Sequence, residues 1–217
     1  MSRLSWNNSG ERLYYTGVKQ GVLFVHNGTE YGQGTVWDGL ISVTESPSGA
    51  ETTPLYAGDS KYAELQSLEE FGFSVEAYMY PDEFSDCIGQ ATIADGVVAS
   101  QQARKTFGMS YVNTIGNDTE GNAYGYEIHL VYGAKAAPSE RSHSTINDSP
   151  EAETMSWECT TTPVTVKNFK DTSHLIINSK KADPTKLKAL EDILYGTDSE
   201  ESRLPLPEEV IQLMTAA

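Results

Sequence analysis

Basic residues are scarce in this chain of 217 residues. Fifteen lysines and arginines stand against 31 aspartates and glutamates, giving a formal charge of −16. A chain this acidic repels phosphate unless its few cations cluster, which argues against a protein that regulates genes by gripping DNA. Cysteine is almost missing as well. Cys87 and Cys159 provide neither a disulfide framework nor metal-ligand spacing, and are expected to be buried free thiols. No apolar run approaches the roughly 20 residues that span a bilayer. Met1 to Asn8 carries no hydrophobic segment of a secretory leader. The expectation is a protein retained in the cytoplasm of the cell that makes it, with no membrane insertion.

Signatures of catalysis are lacking too. The chain has no glycine-rich phosphate loop, dinucleotide fingerprint, zinc-protease helix or nucleophile elbow. His26, His129, His143 and His174 are far apart in sequence, so only long-range contacts could bring three of them to one zinc ion. His129 falls on the less apolar face of its run and is expected to be exposed rather than a ligand. Glu69-Glu70 would point to opposite faces of a strand, and Asp82-Glu83 suits the first turn of a helix, so neither pair is placed for glycoside chemistry. Asn117–Gly121 lacks the downstream acid of a calcium loop and reads as a hairpin turn. These absences lead to an expectation of no catalytic residue, no metal and no cofactor, hence no enzyme.

What the sequence does have is alternation. Phe71, Phe73, Val75, Ala77 and Met79 alternate with small or polar residues, predicting a strand over 71–80 with one apolar face. Trp37, Ile41 and Val43 predict an earlier strand, with a polar connection from Glu45 to Asp59 after it. Pro81-Asp82-Glu83 predicts a strand end and a short helix near Asp82–Cys87. Runs at 13–16 and 22–25 read as two short strands divided by Gly17–Gly21. Runs at 107–115 and 124–132 flank a turn at 116–122, the pattern of a β-hairpin. Tyr124, Tyr126 and Tyr132 share one face there, which suits core or subunit interface better than a sugar-stacking platform.

Met155, Trp157 and Cys159 alternate, and 164–166 and 175–177 are short strand-like runs. Asp183-Pro184 opens a helix that Gly196 stops, and a last helix begins at Pro207. The reading is mainly β, an antiparallel sandwich or half-barrel with a few short flanking helices. It divides into a β-domain at 1–182, with long loops at 45–59 and 138–150, and a C-terminal helical segment at 183–217.

Several segments together resemble the major tail protein of long-tailed (siphovirus-type) bacteriophages of Gram-positive bacteria. They are Trp37-Asp38-Gly39-Leu40, Glu45 to Glu51, Pro54-Leu55-Tyr56, Lys61-Tyr62, Glu69-Glu70-Phe71 and Glu76 to Phe84. The resemblance is strongest over 36–116, looser to about Asn178, and does not extend to the last thirty-odd residues. It implies a tail-tube fold and a structural virion protein, assembled in the host cytoplasm, whose hexameric rings stack into a hollow tube for genome delivery.

The implied partners are other copies of the chain, a tape-measure protein, tail terminator and baseplate or distal tail proteins. Double-stranded DNA would pass through without sticking. Trp37, Glu45, Pro47, Pro54, Leu55, Tyr56, Tyr80 and Phe84 are the candidates for folding and inter-subunit contact. Glu45, Glu51, Glu64, Glu69, Glu70, Glu76, Asp118 and Glu120 are candidates for an acidic lumen, against a plainer reading as solvated surface. The alternatives are a glycan-binding β-sandwich, or another tail component such as a terminator, a baseplate hub or a contractile-system inner tube.

Overall fold

Alternating strands that find cover on both faces make the centre of this molecule. The computed structural model describes residues 3–146, 148–149 and 151–215. In chain order the strands are β1 (Leu13–His26), β2 (Tyr31–Trp37), β3 (Leu40–Glu45), β4 (Ser48–Gly49), β5 (Thr52–Ala57), β6 (Ser60–Gln66), β7 (Glu69–Glu70), β8 (Gly72–Ala77), β9 (Ala91–Ala94), β10 (Val97–Ala99), β11 (Phe107–Asn117), β12 (Gly121–Ala136), β13 (Met155–Thr161) and β14 (His174–Asn178). A 3-10 turn spans Asp82–Asp86, and two helices follow the strands, α1 (Pro184–Tyr195) and α2 (Pro207–Thr215). The fold class read from the sequence is the one adopted: mainly β, antiparallel, with short flanking helices.

The main sheet runs β2-β1-β11-β12-β13-β8-β3, with β14 added beside β12. The hairpin β11–β12 is its spine. Its turn is closed by Asn117, whose Oδ1 accepts from Thr119 N at 3.2 Å and Glu120 N at 2.6 Å. An Asn side chain that substitutes for backbone in this way is a common turn device. β12 serves two partners in succession: Glu127–Val131 pairs with β14, and Ala134–Ala136 pairs with β13. The exchange occurs at Gly133, where φ is 63°. A Cβ there would lie 2.3 Å from the Thr162 carbonyl oxygen, so only glycine fits.

The curled sheet encloses one core and supports a second. Inside lie Leu23, Trp37, Phe73, Val75, Phe84, Met109, Tyr111, Val131, Trp157 and their neighbours. On the outer face of β1, β11 and β12, residues Val22, Phe24, Val112, Ile128, Leu130 and Tyr132 pack against Leu187, Leu190 and Leu194 of α1, Leu204, and Val210 of α2. The C-terminal helices therefore cover the sheet from outside. Tyr132 donates its hydroxyl to Pro205 O at 2.9 Å, so the tyrosine face of β12 is closed over at this point.

α1 begins as its sequence dictates. Asp183 Oδ1 accepts from Thr185 N at 2.9 Å and Lys186 N at 3.2 Å, and Pro184 occupies the first turn. Because the cap serves amides that lack helical partners, Asp183→Ala is expected to cost about 1 kcal/mol. A shifted midpoint in urea denaturation with unchanged slope checks it; an unmoved midpoint would show that the cap contributes nothing.

Several expectations need correction. The runs at 13–16 and 22–25 are one strand, β1, because positive-φ residues Gly17 and Gln20 sit at bulges that bend the strand while its pairing to β11 continues. The strand read as 71–80 ends at Ala77. Tyr78 and Met79 are exposed, since the chain turns there so that Met79 O can accept from Trp37 Nε1 at 3.0 Å. Segment 164–166 gives only the bridge Val164–Thr172. The segment 45–59 is not a loop, as described below. In 138–150 no strand forms among the described residues; Asn147 and Pro150 lie outside them, as do 1–2 and 216–217.

His129, expected exposed, is buried at 5% exposure. Its polar neighbours suggested a solvent face, but β12 is covered on both sides, by the helices and by the opposite wall of the curled sheet. Cys87 and Cys159 are buried free thiols, and burial pushes each up to about 12.

Candidate assembly surface

Between β3 and β8 the chain leaves the body as a long arm. β4 pairs with β7 and β5 with β6, so residues 46–71 fold out and back as one ladder. Pairing places Thr53 opposite Leu65 and Leu55 opposite Ala63, putting Leu55, Ala63 and Leu65 on one face. Pro54 opposes Glu64 on the other face. A bulge follows Leu55, setting Tyr56 against Lys61 near the tip. Leu55 is 40% exposed, Tyr56 71%, Tyr62 76% and Leu65 58%. A two-stranded ladder with apolar residues open to water gains little stability by itself.

The second feature is a seam. β2 pairs with β1 only from Gly21 onward, so the first half of β1 has one free edge. β3 pairs only with β8 within the main sheet. The two free edges face each other across a cleft of about 270 Å³ lined by Gly17, Val18, Ile41, Val43, Glu45, Tyr111 and His129, with Ser42 and Asn113. The barrel is thus open along one side. The outer edge of β2 is partly closed by the segment before α2, where Gly34 N donates to Ser202 O at 3.3 Å.

The candidate residues fall into groups. Trp37 and Phe84 are buried, and Tyr80 is half-buried, in an aromatic cluster with Trp157. Pro47, Pro54, Leu55 and Tyr56 are exposed on the arm. Glu45 stands at the arm's root. Of the acidic candidates, Glu51, Glu64, Glu69 and Glu70 are exposed on the arm. Glu76 is half-buried on β8, where its Oε2 accepts from Ser42 Oγ at 3.3 Å. Asp118 and Glu120 lie at the β11–β12 turn. β8 runs parallel to β12, each being antiparallel to β13, so the arm and this turn lie on the same side of their strands in direction, toward the starts of β8 and β12.

At the arm's root the structure assembles a group that local sequence patterns did not reveal. His129 Nδ1 lies 3.1 Å from His174 Nε2 and 3.3 Å from Glu45 Oε1. His174 Nε2 is 3.9 Å from the same oxygen, which also accepts from Tyr111 Oη at 3.0 Å. The rings are held by stacking: Tyr111 on His129 at 4.5 Å and Phe71 on His174 at 4.4 Å. Burial lowers both histidine pKa values from the usual imidazole range, with Glu45 opposing the shift, so both rings are neutral at neutral pH. Burial and the facing Glu45 raise the Tyr111 hydroxyl, which stays a donor. Tyr111, His129 and His174 come from the neighbouring strands β11, β12 and β14, and the curl of the sheet adds Glu45 from β3.

No family model matches the chain, and no curated protein matches it in sequence. Among the described residues, no helix is long and apolar enough to cross a membrane. Among solved structures, the chain is similar to one in the PVC sheath–tube complex of an extracellular contractile injection system, determined by cryo-EM in the extended state. That likeness has a TM-score of 0.38 and 12% identity, covering 73% of this chain and 88% of the other.

Proposed function

We propose that this chain is a non-enzymatic structural subunit of a phage-type tail or injection device. It polymerises as stacked rings, hexameric as the resemblance implies, into a hollow tube for genome delivery. The observation that carries the reading is the arm. It lies inside the segment bearing the tail-protein resemblance, and it offers Leu55, Tyr56, Tyr62 and Leu65 to solvent. Exposed apolar residues on a projecting ladder, and free strand edges along a seam, are liabilities in a monomer that contact with neighbours would remove.

The acidic balance fits a conduit for DNA. Carboxylates repel phosphate, though screening confines that repulsion to about 10 Å at 0.1 M salt. Acids on the arm and on the β11–β12 turn project in the same direction from their strands. The tape-measure protein and the terminator and baseplate proteins are the proposed partners, and the virion tail is the proposed location.

The test is negative-stain electron microscopy of the purified protein at high concentration, with and without the tape-measure partner. Rings or tubes are the expected result. Uniform monomers under both conditions would sink the proposal.

A further inference from the structure

We propose that Glu45, His129 and His174 form a binding site for a divalent cation of the zinc type, which pins the root of the arm to the sheet. This inference does not rest on the assembly reading.

Three donor atoms converge, each within 4.8 Å of the others. Zinc binds nitrogen and oxygen at about 2.0–2.2 Å in tetrahedral sites, which puts neighbouring donors about 3.3 Å apart. The separations here are 3.1, 3.3 and 3.9 Å. The set therefore needs only a small adjustment to hold one ion. Two imidazoles and a carboxylate select a transition ion over calcium or magnesium, which prefer all-oxygen shells.

Hydrogen bonding alone serves this group poorly. With both rings neutral, the Nδ1–H of His129 is one proton offered to two acceptors, His174 Nε2 and Glu45 Oε1. If His174 instead donates from Nε2 to His129 Nδ1, Glu45 Oε1 faces an unprotonated nitrogen at 3.3 Å and two acceptors meet. A cation in place of that shared proton satisfies all three donors at once. The surroundings fit such an ion. Tyr111 orients the carboxylate, as partners of metal ligands do, and two aromatic rings fix the imidazoles. The cleft between β1 and β3 reaches Glu45 and His129, giving an entry path and room for a water as a further ligand. Glu45 ends β3 where the arm departs, and Phe71, stacked on His174, precedes β8 where it returns. A bound ion would cross-link both roots of the arm to β12 and β14.

The experiment uses the full chain after chelator treatment, titrated with zinc alone by calorimetry and with cobalt for its absorption spectrum. One zinc per chain is expected, with cobalt bands typical of a four-coordinate nitrogen–oxygen site. His174→Ala is expected to weaken zinc by about 100-fold or more and Glu45→Gln by about tenfold or more, since removing a ligand costs no less than removing the outer partner of one. Both variants avoid the most buried member, and circular dichroism checks their fold. His143→Ala controls for the exposed His143–Glu153 pair, with Nδ1 to Oε2 at 3.0 Å, and should leave zinc binding unchanged. Absence of uptake by the wild-type chain overturns the proposal. So does uptake that survives both His174→Ala and Glu45→Gln.

Discussion

Replacing Phe84 by alanine is expected to lower the unfolding free energy by about 3–5 kcal/mol, the usual cost of emptying a large aromatic site in a packed core. Phe84 is fully buried and sits among four aromatic rings: Trp37 at 4.5 Å, Trp157 at 5.2 Å, Phe107 at 5.3 Å and Tyr80 at 5.9 Å. The 3-10 turn that carries it is short and contributes little stability of its own. Its position depends on this one side chain entering the inner core. Trp37 is further fixed by its indole bond to Met79 O, so the rings around the cavity cannot easily close over it. Phe84→Leu keeps much of the volume and is expected to cost less than half as much. Denaturant unfolding at dilute protein, where subunits are separate, measures both. A loss below about 1 kcal/mol for Phe84→Ala would mean that the cluster relaxes freely and is not the keystone of this core.

How much of this was open to a reader of the sequence differs element by element, for physical reasons. The β11–β12 hairpin was legible because its turn chemistry and alternation are local. α1 was legible because Asp183, Pro184 and Gly196 are punctuation that acts within one or two residues. The arm was not. Both of its faces meet solvent in the single chain, so no burial imposes a period of two, and Pro47, Gly49, Ser48 and Pro54 read as loop. β1 reads as two strands because glycines normally end strands, whereas here Gly17 and Gln20 mark bulges within one strand.

His129 departs from its expected exposure for the opposite reason. Alternation reports one wet face, and β12 has none in its central part. The Glu45–His129–His174 group lay beyond local patterns altogether, its members being 84 and 45 residues apart along the chain. The one available signal was negative: His129 is a polar residue amid Ile128, Leu130 and Val131, in a run otherwise built for burial. A polar side chain in such a run must find partners within the fold.

Excising the arm is expected to abolish assembly while leaving the fold intact. Gly49 and Glu69 are paired across the ladder, so residues 50–68 can be replaced by Asn-Gly, the two-residue connection that suits such a pair. Nothing in either core comes from the removed residues. The shortened chain should therefore unfold at the same denaturant midpoint as the parent and form no rings at any concentration that the parent assembles.

A single substitution tests the same contact less severely. Tyr56 is 71% exposed on the arm, against 40% for Leu55 beside it. Truncating an aromatic anchor at an interface costs about 2 kcal/mol or more, so Tyr56→Ala should raise the concentration needed for assembly by about thirtyfold. Light scattering during concentration measures the threshold, and unfolding curves show that the subunit itself is unchanged. Tubes from the excised chain at the parent's threshold would remove the arm from assembly and leave the seam between β1 and β3 to carry the contact. Loss of folding on excision would show instead that the ladder braces the sheet it springs from.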